Sequence, residues 1–392
     1  MRFLIVKALA ESHAYSQFAN ALSRGLEELG QSTSFSDMFA HAVHGTVDSI
    51  HLARELAGAP HDAVISFSSF FGAATDDTRT SLFDVLGVKF IGWQLDHPIY
   101  APQSLTRRMR NQYSIYANHN HLRFVGALKI PGQAVSMLAG GEPLDAPMKA
   151  YRSRQWPVFV AATWNGVPER YWESLEDSPA KQLLTGVVDS LSNDPEASLL
   201  DAFNDTSHRL GLGAALGADP EFDDQMIEFL RGPLTYIRHV DRINIVRALA
   251  ESGLPVTICG SGWREYLGDR NNVVFIERRV DFKDMPAFYN DAKIVINLNA
   301  GNGACERAVH AMLAGAAVVS DMSMDLSQTF RSGQDIRFFN RAAPGGVVAA
   351  AERLLDGDRG EDLAASGHER AMTTALWRHR AQSLIEFVRQ GP

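Results

Sequence analysis

Residues Ile294–Ser320 read IVINLNAGNGACERAVHAMLAGAAVVS and form the most informative stretch of this chain. An apolar run at Ile294–Leu298 has the composition of a buried strand, and a glycine-containing loop follows it at 299–304. A helix is predicted over Cys305–Leu313, and a second apolar run follows at Ala317–Ser320. This order of strand, loop, helix and strand is the repeating unit of a parallel α/β sheet.

The loop and the start of this helix suit an anion. Glycines let a backbone approach a ligand closely, and a helix N-terminus presents N–H groups with partial positive charge. A diphosphate fits that position, and Arg307 would add a full positive charge. A Gly-x-Gly alone is a weak signal, so an ordinary strand-to-helix loop is the alternative interpretation. The predicted site residues are Gly301, Asn302, Gly303, Ala304 and Arg307.

The same alternation extends over the first part of the chain. Apolar runs that predict buried strands recur at Phe3–Val6, Ala63–Phe67 and Val88–Trp93, with helical segments between them. Ser114–Tyr116 and Arg123–Val125 predict one or two further short strands. We therefore expect a Rossmann-like domain over residues 1–147, ending in a segment rich in turn-forming residues.

A second Rossmann-like domain is expected over residues 148–370. Its alternation is interrupted at about 168–235 by polar, helix-favouring sequence, which predicts a helical insertion. A last helix, with Trp377, Leu384 and Val388 on one face, is expected to leave this domain. Residues 371–392 would then pack on the N-terminal domain.

Composition narrows the class of protein. The chain has 392 residues, 45% of them hydrophobic and 21% charged, which is typical of soluble globular proteins with two domains. The net charge of −9 disfavours a nucleic-acid partner. Two cysteines and no long apolar segment predict a cytoplasmic protein without a membrane-spanning segment. Nothing in the composition decides whether the chain forms a homodimer.

Residues 236–340 resemble the C-terminal half of GT-B glycosyltransferases, and most closely the CgeB-like (spore maturation) branch. The shared features are Met-Pro at 285–286, the Tyr289 to Ala292 segment, Asn297, Arg307, the small residues Ala314–Ala316 and Asp321 at a strand end. The loop Gly260–Trp263 resembles the glycine loop that precedes this block in the family. In the first half, Asp96-His97-Pro98 looks like an Asp-x-Pro element of the family.

The resemblance implies a fold and an activity. The fold would be α/β with GT-B architecture: two Rossmann-like domains facing across a cleft, with the C-terminal helix crossing back to the first. The activity would be transfer of a sugar from a nucleotide-diphosphate sugar, most simply a UDP-sugar, to an acceptor hydroxyl. The acceptor would be a glycan, a protein or a small molecule. GT-B enzymes typically use no metal, so no cofactor and no metal ligands are expected.

The resemblance also assigns donor-binding residues. These are Gly260, Gly262, Trp263, Gly301, Asn302, Gly303, Ala304, Glu306, Arg307 and His310. Two of them differ from the family pattern: His310 stands where a ribose-binding glutamate is usual, and Asn302 where many retaining members have a glutamate. A histidine can still hydrogen-bond a diol, and Glu306 lies one turn before it. Trp263 has a second interpretation, as a core side chain behind a tight turn.

Asp96, His97 and His13 are the candidate catalytic residues. Each follows a predicted strand, at the edge where open α/β sheets bind ligands. A carboxylate or an imidazole there could deprotonate an acceptor hydroxyl. The alternative for Asp96 is a cap of the turn before Pro98. The histidines at 119 and 121 supply too few ligands for a zinc site.

Two other functions fit the same sequence. A nucleotide-sugar epimerase would use the same donor site without an acceptor. A non-catalytic relative would bind a nucleotide or a glycan, which the departures at His310 and Asn302 make a real alternative. A dinucleotide-dependent oxidoreductase is disfavoured, because no Gly-x-Gly-x-x-Gly follows the first strand.

Overall fold

The structure, a computed structural model, describes most of the chain. The described residues are 1–38, 49–69, 72, 74–75, 80–102, 105, 109–194, 196–298 and 305–390. The chain divides into two compact units. Unit 1 comprises Met1–Glu142, Asp281–Lys283 and Ala375–Pro392, and unit 2 comprises Pro143–Val280 and Asp284–Thr374.

Unit 1 contains a parallel sheet of six strands. They are β1 (Arg2–Lys7), β2 (Ser32–Asp37), β3 (Ala63–Phe67), β4 (Lys89–Gln94), β5 (Gln112–Tyr116) and β6 (Gln133–Ser136). Their order is β2-β1-β3-β4-β5-β6. Every residue of β3 and β5 is buried, as expected for strands covered on both faces. The strand order reverses between β1 and β3.

Unit 2 contains a second parallel sheet of six strands. They are β7 (Trp156–Ala161), β8 (Val256–Cys259), β9 (Val273–Ile276), β10 (Ala292–Asn297), β11 (Ala317–Asp321) and β12 (Arg337–Phe339). Their order is β12-β11-β10-β7-β8-β9. The order reverses between β7 and β10, which is the doubly wound topology of dinucleotide-binding folds.

Helices cover the sheets. Those in the described residues are α1 (Ala14–Glu28), α2 (Ser49–Gly58), α3 (Leu82–Leu86), α4 (His119–Ala127), α5 (Pro179–Asn193), α6 (Leu199–Arg209), α7 (Pro220–Glu251), α8 (Trp263–Leu267), α9 (Met285–Asp291), α10 (Glu306–Leu313), α11 (Met324–Thr329), α12 (Gly345–Leu355), α13 (Arg359–Thr374) and α14 (Trp377–Gln390). Among these helices, none has both the length and the apolar character needed to cross a lipid bilayer.

The region between β7 and β8 is helical. It holds α5, α6 and α7, and the last of these is a single long helix. Local signals explain the starts: Pro179 and Pro220 occupy first-turn positions, where a missing N–H costs nothing. Ser198 and Asp201 form a capping box at the start of α6.

The last helix, α14, belongs to unit 1. It packs on α1 and closes the core of that unit with Trp377, Ala381, Leu384 and Val388, all of them buried. The Trp377 ring lies 5.4 Å from the Phe18 ring and 5.4 Å from the Trp93 ring. The apolar stripe seen in the sequence therefore faces the sheet of unit 1.

One predicted strand is wrong. Residues Arg123–Val125 lie inside α4. The reason is a cap: the Asn118 side chain accepts a hydrogen bond from the His121 N–H at 2.9 Å and starts a helix there. The other segment predicted here, Ser114–Tyr116, is part of β5.

Candidate functional site

The strand order of unit 2 locates its ligand site. In open α/β sheets, ligands bind beyond the carboxyl ends of the strands where the order reverses. In unit 2 this point lies between β7 and β10, so the loops after them, from Ala162 and from Leu298, form it. The second loop includes residues 299–304. Gly301, Asn302, Gly303 and Ala304 therefore lie outside the residues that the structure describes.

Helix α10 begins directly after this loop. Its N-cap residue is Cys305, in an extended conformation, and the Cys305 side chain makes no capping hydrogen bond. The Cys305 Sγ instead contacts Glu306 Oε2 at 3.3 Å. Of the first-turn N–H groups, that of Ala308 donates to the Cys305 carbonyl at 3.2 Å. The helix start still carries a partial positive charge, which suits an anion.

Arg307 lies in this first turn. Its Nη1 donates to the Leu298 carbonyl at 3.5 Å, and its guanidinium also hydrogen-bonds the Tyr289 hydroxyl. Burial opposes the charge, but Cys305, Tyr289 and Glu306 raise the pKa of Arg307 above the usual arginine range. Arg307 therefore stays charged next to the helix start.

Arg242 of α7 lies close to both Arg307 and Arg238. Arg238 and Arg242 are one turn apart, and Arg242 Nη1 donates to the Thr163 carbonyl, in the loop after β7, at 3.3 Å. Burial, then the charges of Arg238 and Arg307, lower the pKa of Arg242 to about 10. Arg238, Arg242 and Arg307 thus form a cationic cluster in which Arg242 is repelled by the other two. Arg264 does not belong to it, because its Nε pairs with Glu277 Oε2 at 3.1 Å.

His310 lies one turn further along α10. It is buried, and burial lowers its pKa to about 4. The ring is therefore neutral at pH 7, with one donor and one acceptor nitrogen. A neutral imidazole can hydrogen-bond a diol in either direction, whereas a glutamate can only accept.

Cys305 is not a nucleophile. Burial, with the neighbouring Glu306 carboxylate, raises the pKa of its thiol to about 12. The reactive form of cysteine is the thiolate, and almost none exists at neutral pH with such a pKa. Cys305 and Glu306 contribute to the polar environment of Arg307 instead.

The glycine loop after β8 packs against the loop after β7. Gly260 has a φ of 144°, and a Cβ there would overlap the carbonyl oxygen of Ala162. Gly262 has a φ of 85°, and its Cβ would lie 2.8 Å from Trp164 Cδ1. Trp263 is fully buried and donates its indole N–H to the Ala162 carbonyl at 2.7 Å. These residues shape the loop that Arg242 contacts, and Trp263 does so from the core.

Unit 1 has its own reversal point, between β1 and β3. Tyr15, just after β1, donates its hydroxyl to Asp96 Oδ2 at 3.2 Å, and Asp96 follows β4. The Tyr15 ring stacks on Phe67 at 6.4 Å, which fixes its position over the sheet edge. Asp96 is exposed, and the turn after it is capped by His97, whose Nδ1 accepts from the Ile99 N–H.

The two candidate histidines are both helix caps. His13 Nδ1 accepts from the Tyr15 N–H at 3.2 Å, and His97 Nδ1 accepts from the Ile99 N–H at 3.2 Å. An Nδ1 that accepts places the proton of the neutral ring on Nε2. In this tautomer, the outer nitrogen of each ring is a donor.

The histidines of α4 do not form a metal site. His119 is the first residue of the helix, and His121 is buried with its Nε2 3.0 Å from Asn118 Nδ2. Two residues apart on a helix, they point in different directions. Within the described residues, no three His, Cys, Asp or Glu side chains are grouped so that they could hold a metal ion.

Known proteins resemble this chain in sequence over one part and in fold over the whole. Residues 238–386 match the family model described as glycosyl transferase-like. No curated protein matches the sequence significantly.

The structure of sucrose-phosphate synthase from Thermosynechococcus elongatus is 11% identical, with a TM-score of 0.55 over 100% of this chain and 98% of that one. A glycosyltransferase from Rickettsia africae is 9% identical, with a TM-score of 0.53 over 99% and 98%. Anabaena HepE, in complex with UDP and glucose, is 10% identical, with a TM-score of 0.54 over 99% of both chains.

At such identities the likeness concerns the fold. The matched structures are GT-B glycosyltransferases, and they cover the whole chain. This chain has the GT-B fold. The α/β fold predicted from the sequence is therefore confirmed: each unit of the GT-B chain has a parallel six-stranded sheet with helices on its faces.

Sequence reasoning missed several polar residues of the GT-B units. Ser68 and Ser69 directly follow β3 and have φ values of 56° and 52°, a left-handed conformation that is unusual outside glycine. The buried Gln94 side chain donates to the Ser69 hydroxyl and connects this turn to β4. Such backbone strain concentrates at functional sites, but no sequence pattern announces it. Tyr15 could have been predicted from the sequence, because it lies two residues after His13 in the segment that follows the first strand.

Proposed function

We propose that this chain is a glycosyltransferase that uses a nucleotide-diphosphate sugar as donor. The observation that carries the proposal is the cationic cluster at the start of α10, beside the reversal point of unit 2. Arg242 is repelled by Arg238 and Arg307, so an anion beside it would stabilise the cluster, and a diphosphate matches the charge of the three arginines. The match to the glycosyl transferase-like family model includes all three.

In this proposal the cationic cluster stabilises the leaving group of the reaction. When the sugar leaves, negative charge develops on the departing diphosphate, and helix N–H groups and arginines stabilise it. Each well-placed donor in such a site contributes ~2.7–4 kcal/mol to the transition state. We assign this role to protein groups alone, without a metal.

UDP is the proposed nucleotide, because related folds were solved with UDP and UDP-glucose. We further propose that the transferred sugar is a hexose, that the protein is cytoplasmic and that it belongs to the CgeB-like branch.

His310 is the proposed ribose partner. It occupies the second turn of α10, next to the phosphate site, and its ring is neutral because burial lowers its pKa to about 4. A neutral ring can donate to one ribose hydroxyl or accept from it without adding charge beside the arginines. Glu306, one turn earlier, contacts Cys305 and is the less direct candidate.

Asp96 is the proposed general base in unit 1. His13 and His97 each use Nδ1 as a cap, so their outer nitrogens carry protons and cannot accept one from an acceptor hydroxyl. Asp96 is exposed, and Tyr15 holds one of its oxygens. Of the three candidates, only Asp96 is exposed rather than half-buried, and the Tyr15 hydroxyl positions it.

The first test is nucleotide binding. Arg242→Gln keeps a polar side chain but removes the charge, and we expect UDP affinity to fall roughly 10- to 150-fold, the value of one charge-assisted hydrogen bond. Affinity for uridine, which has no phosphate, should change less than about twofold. Calorimetric titration of both ligands measures the difference. Arg247→Gln is the matched control, because Arg247 is an exposed arginine on the same helix.

Binding and turnover measurements together distinguish a glycosyltransferase from an epimerase and from a non-catalytic relative. Equal losses for UDP and uridine would remove Arg242 from the phosphate site. Tight UDP binding without donor turnover, with any acceptor hydroxyl supplied, would favour the non-catalytic alternative. Conversion of the donor sugar without an acceptor would identify an epimerase.

A further inference from the structure

A second polar cavity lies in unit 2, away from the cationic cluster. Its volume is about 520 Å³, within the range of small-molecule sites. It is formed by the segment before β12, the last turn of α12 and the first turns of α13. These lining residues all lie within the described stretch 305–390.

The cavity lies toward the opposite end of the sheet from the proposed donor site. The donor site is at the carboxyl ends of β7 and β10. Strand β12 begins at Arg337, and α12 runs back from the end of that strand, so its last turn lies toward the ends where the strands begin. A ligand in this cavity would therefore be separate from the donor.

Three arginines line the cavity: Arg337, Arg353 and Arg359. Arg359 Nη1 pairs with Asp356 Oδ2 at 2.8 Å. Within the described residues, Arg337 and Arg353 have no carboxylate partner, and the Arg337 Nε is buried without a hydrogen-bond acceptor. A buried donor of this kind is unfavourable, because it has lost its contact with water and gained no acceptor in exchange. An anion beside Arg337 would supply that acceptor.

The rest of the lining suits hydroxyl groups and a carbon ring. Asp362 faces the same cavity and forms no ion pair with the arginines there, so its oxygens can accept from hydroxyls. Ser366 and Gln334 add further polar atoms, although the Ser366 hydroxyl already donates to Asp335 Oδ1 at 2.7 Å. Leu354 and Leu363 supply apolar walls. The arginines suit a phosphate group, the Asp362 carboxylate suits sugar hydroxyls, and the two leucines suit the carbon ring of a sugar. The lining therefore matches a phosphorylated sugar better than it matches a phosphate ion alone.

We propose that this cavity binds a sugar phosphate, with its phosphate on Arg337 and Arg353 and its hydroxyls on Asp362 and Ser366. The proposal does not depend on the glycosyltransferase function, because the two sites share no residue. It adds a second ligand site to unit 2.

The test is a titration of the full chain with three probes: glucose 6-phosphate, inorganic phosphate and glucose. We expect glucose 6-phosphate to bind at least tenfold more tightly than either of the others. Arg353→Gln, at an exposed position, should weaken it at least tenfold, and Arg337→Gln should do the same if that variant folds. Arg247→Gln, exposed in the same unit, should leave the affinity unchanged.

Competition separates this site from the donor site. Saturating UDP should not displace glucose 6-phosphate, and Arg242→Gln should bind it as the natural sequence does. Displacement by UDP would place the ligand at the donor site and overturn the proposal. Equal affinities for inorganic phosphate and glucose 6-phosphate would overturn the sugar assignment, and no binding of either would overturn the site.

Discussion

Tyr15 and Asp96 show how single residues acquire a role in this protein. Their hydrogen bond joins positions 81 residues apart in the sequence, and it aims an exposed carboxylate at a sheet edge. Asp96→Asn keeps the shape and removes the basicity, so sugar transfer should fall by roughly 10²–10⁴-fold if Asp96 is the general base. UDP affinity, set by unit 2, should not change. Initial rates and calorimetry on the same preparation check both expectations.

Tyr15→Phe is the companion variant. It removes the hydroxyl that holds Asp96 and keeps the ring on Phe67. A positioning role predicts a smaller loss of kcat than Asp96→Asn causes, and no further loss when Tyr15→Phe is combined with Asp96→Asn, because residues that act as a unit are not additive. A further loss in the double variant would mean that Tyr15 does not act through Asp96.

His310 makes stability depend on pH. Its pKa is about 4 in the folded chain and close to 6.5 when unfolded. The unfolded state therefore binds more protons between these values, so stability is complete above the unfolded pKa and is lost as pH falls toward 4. His310→Gln should flatten this dependence. Urea unfolding at a series of pH values between 7 and 4 measures it, and parallel curves for both chains would mean that another group causes the loss.

At the scale of elements, the loop after β8 is defined by close approach of two backbones. Gly260→Ala should destabilise unit 2, because its Cβ would overlap the Ala162 carbonyl and its φ of 144° is unfavourable for alanine. Gly268→Ala is the matched control, since Gly268 also has a positive φ, 70°, but open space around it. The control should lose about 1–3 kcal/mol from the backbone alone, because its φ of 70° and ψ of 172° lie in a region that is essentially restricted to glycine. Denaturant unfolding should show a larger loss for Gly260→Ala, and equal losses would mean that the contact with Ala162 does not matter.

At the scale of the whole molecule, unit 1 is assembled from segments at both ends of the chain. A chain that stops after Thr374 lacks α14, which covers Phe18 and Trp93 with Trp377. Loss of one such buried tryptophan alone costs about 3–5 kcal/mol. Hydrogen exchange should therefore speed up in β1, β3 and β4, although these strands are far away in the sequence. A chain that stops after Gln390 is the control, and unchanged exchange in β1 after the longer truncation would contradict this packing.

The sequence by itself determined the class of the fold. Apolar runs, helical periodicity and turn residues are local signals, because each depends on neighbours within a few residues. They predicted strands β1, β3, β4, β10 and β11, the helical segment before β8 and the helix that carries Arg307. They failed at Arg123–Val125, where the capping hydrogen bond of Asn118 outweighed an apolar run.

Only the tertiary structure decided which of those elements meet. Strand order is set by burial and pairing between residues far apart in sequence, and it alone fixes the two reversal points. It brings Arg242 of α7 next to Arg307 of α10, and it places Trp377 against the first sheet. The sequence named Asp96 as the first candidate for the base, with His97 and His13 as the others. The hydrogen bonds of the fold distinguish them, because each histidine accepts a backbone N–H through Nδ1, whereas Asp96 is exposed and accepts from the Tyr15 hydroxyl.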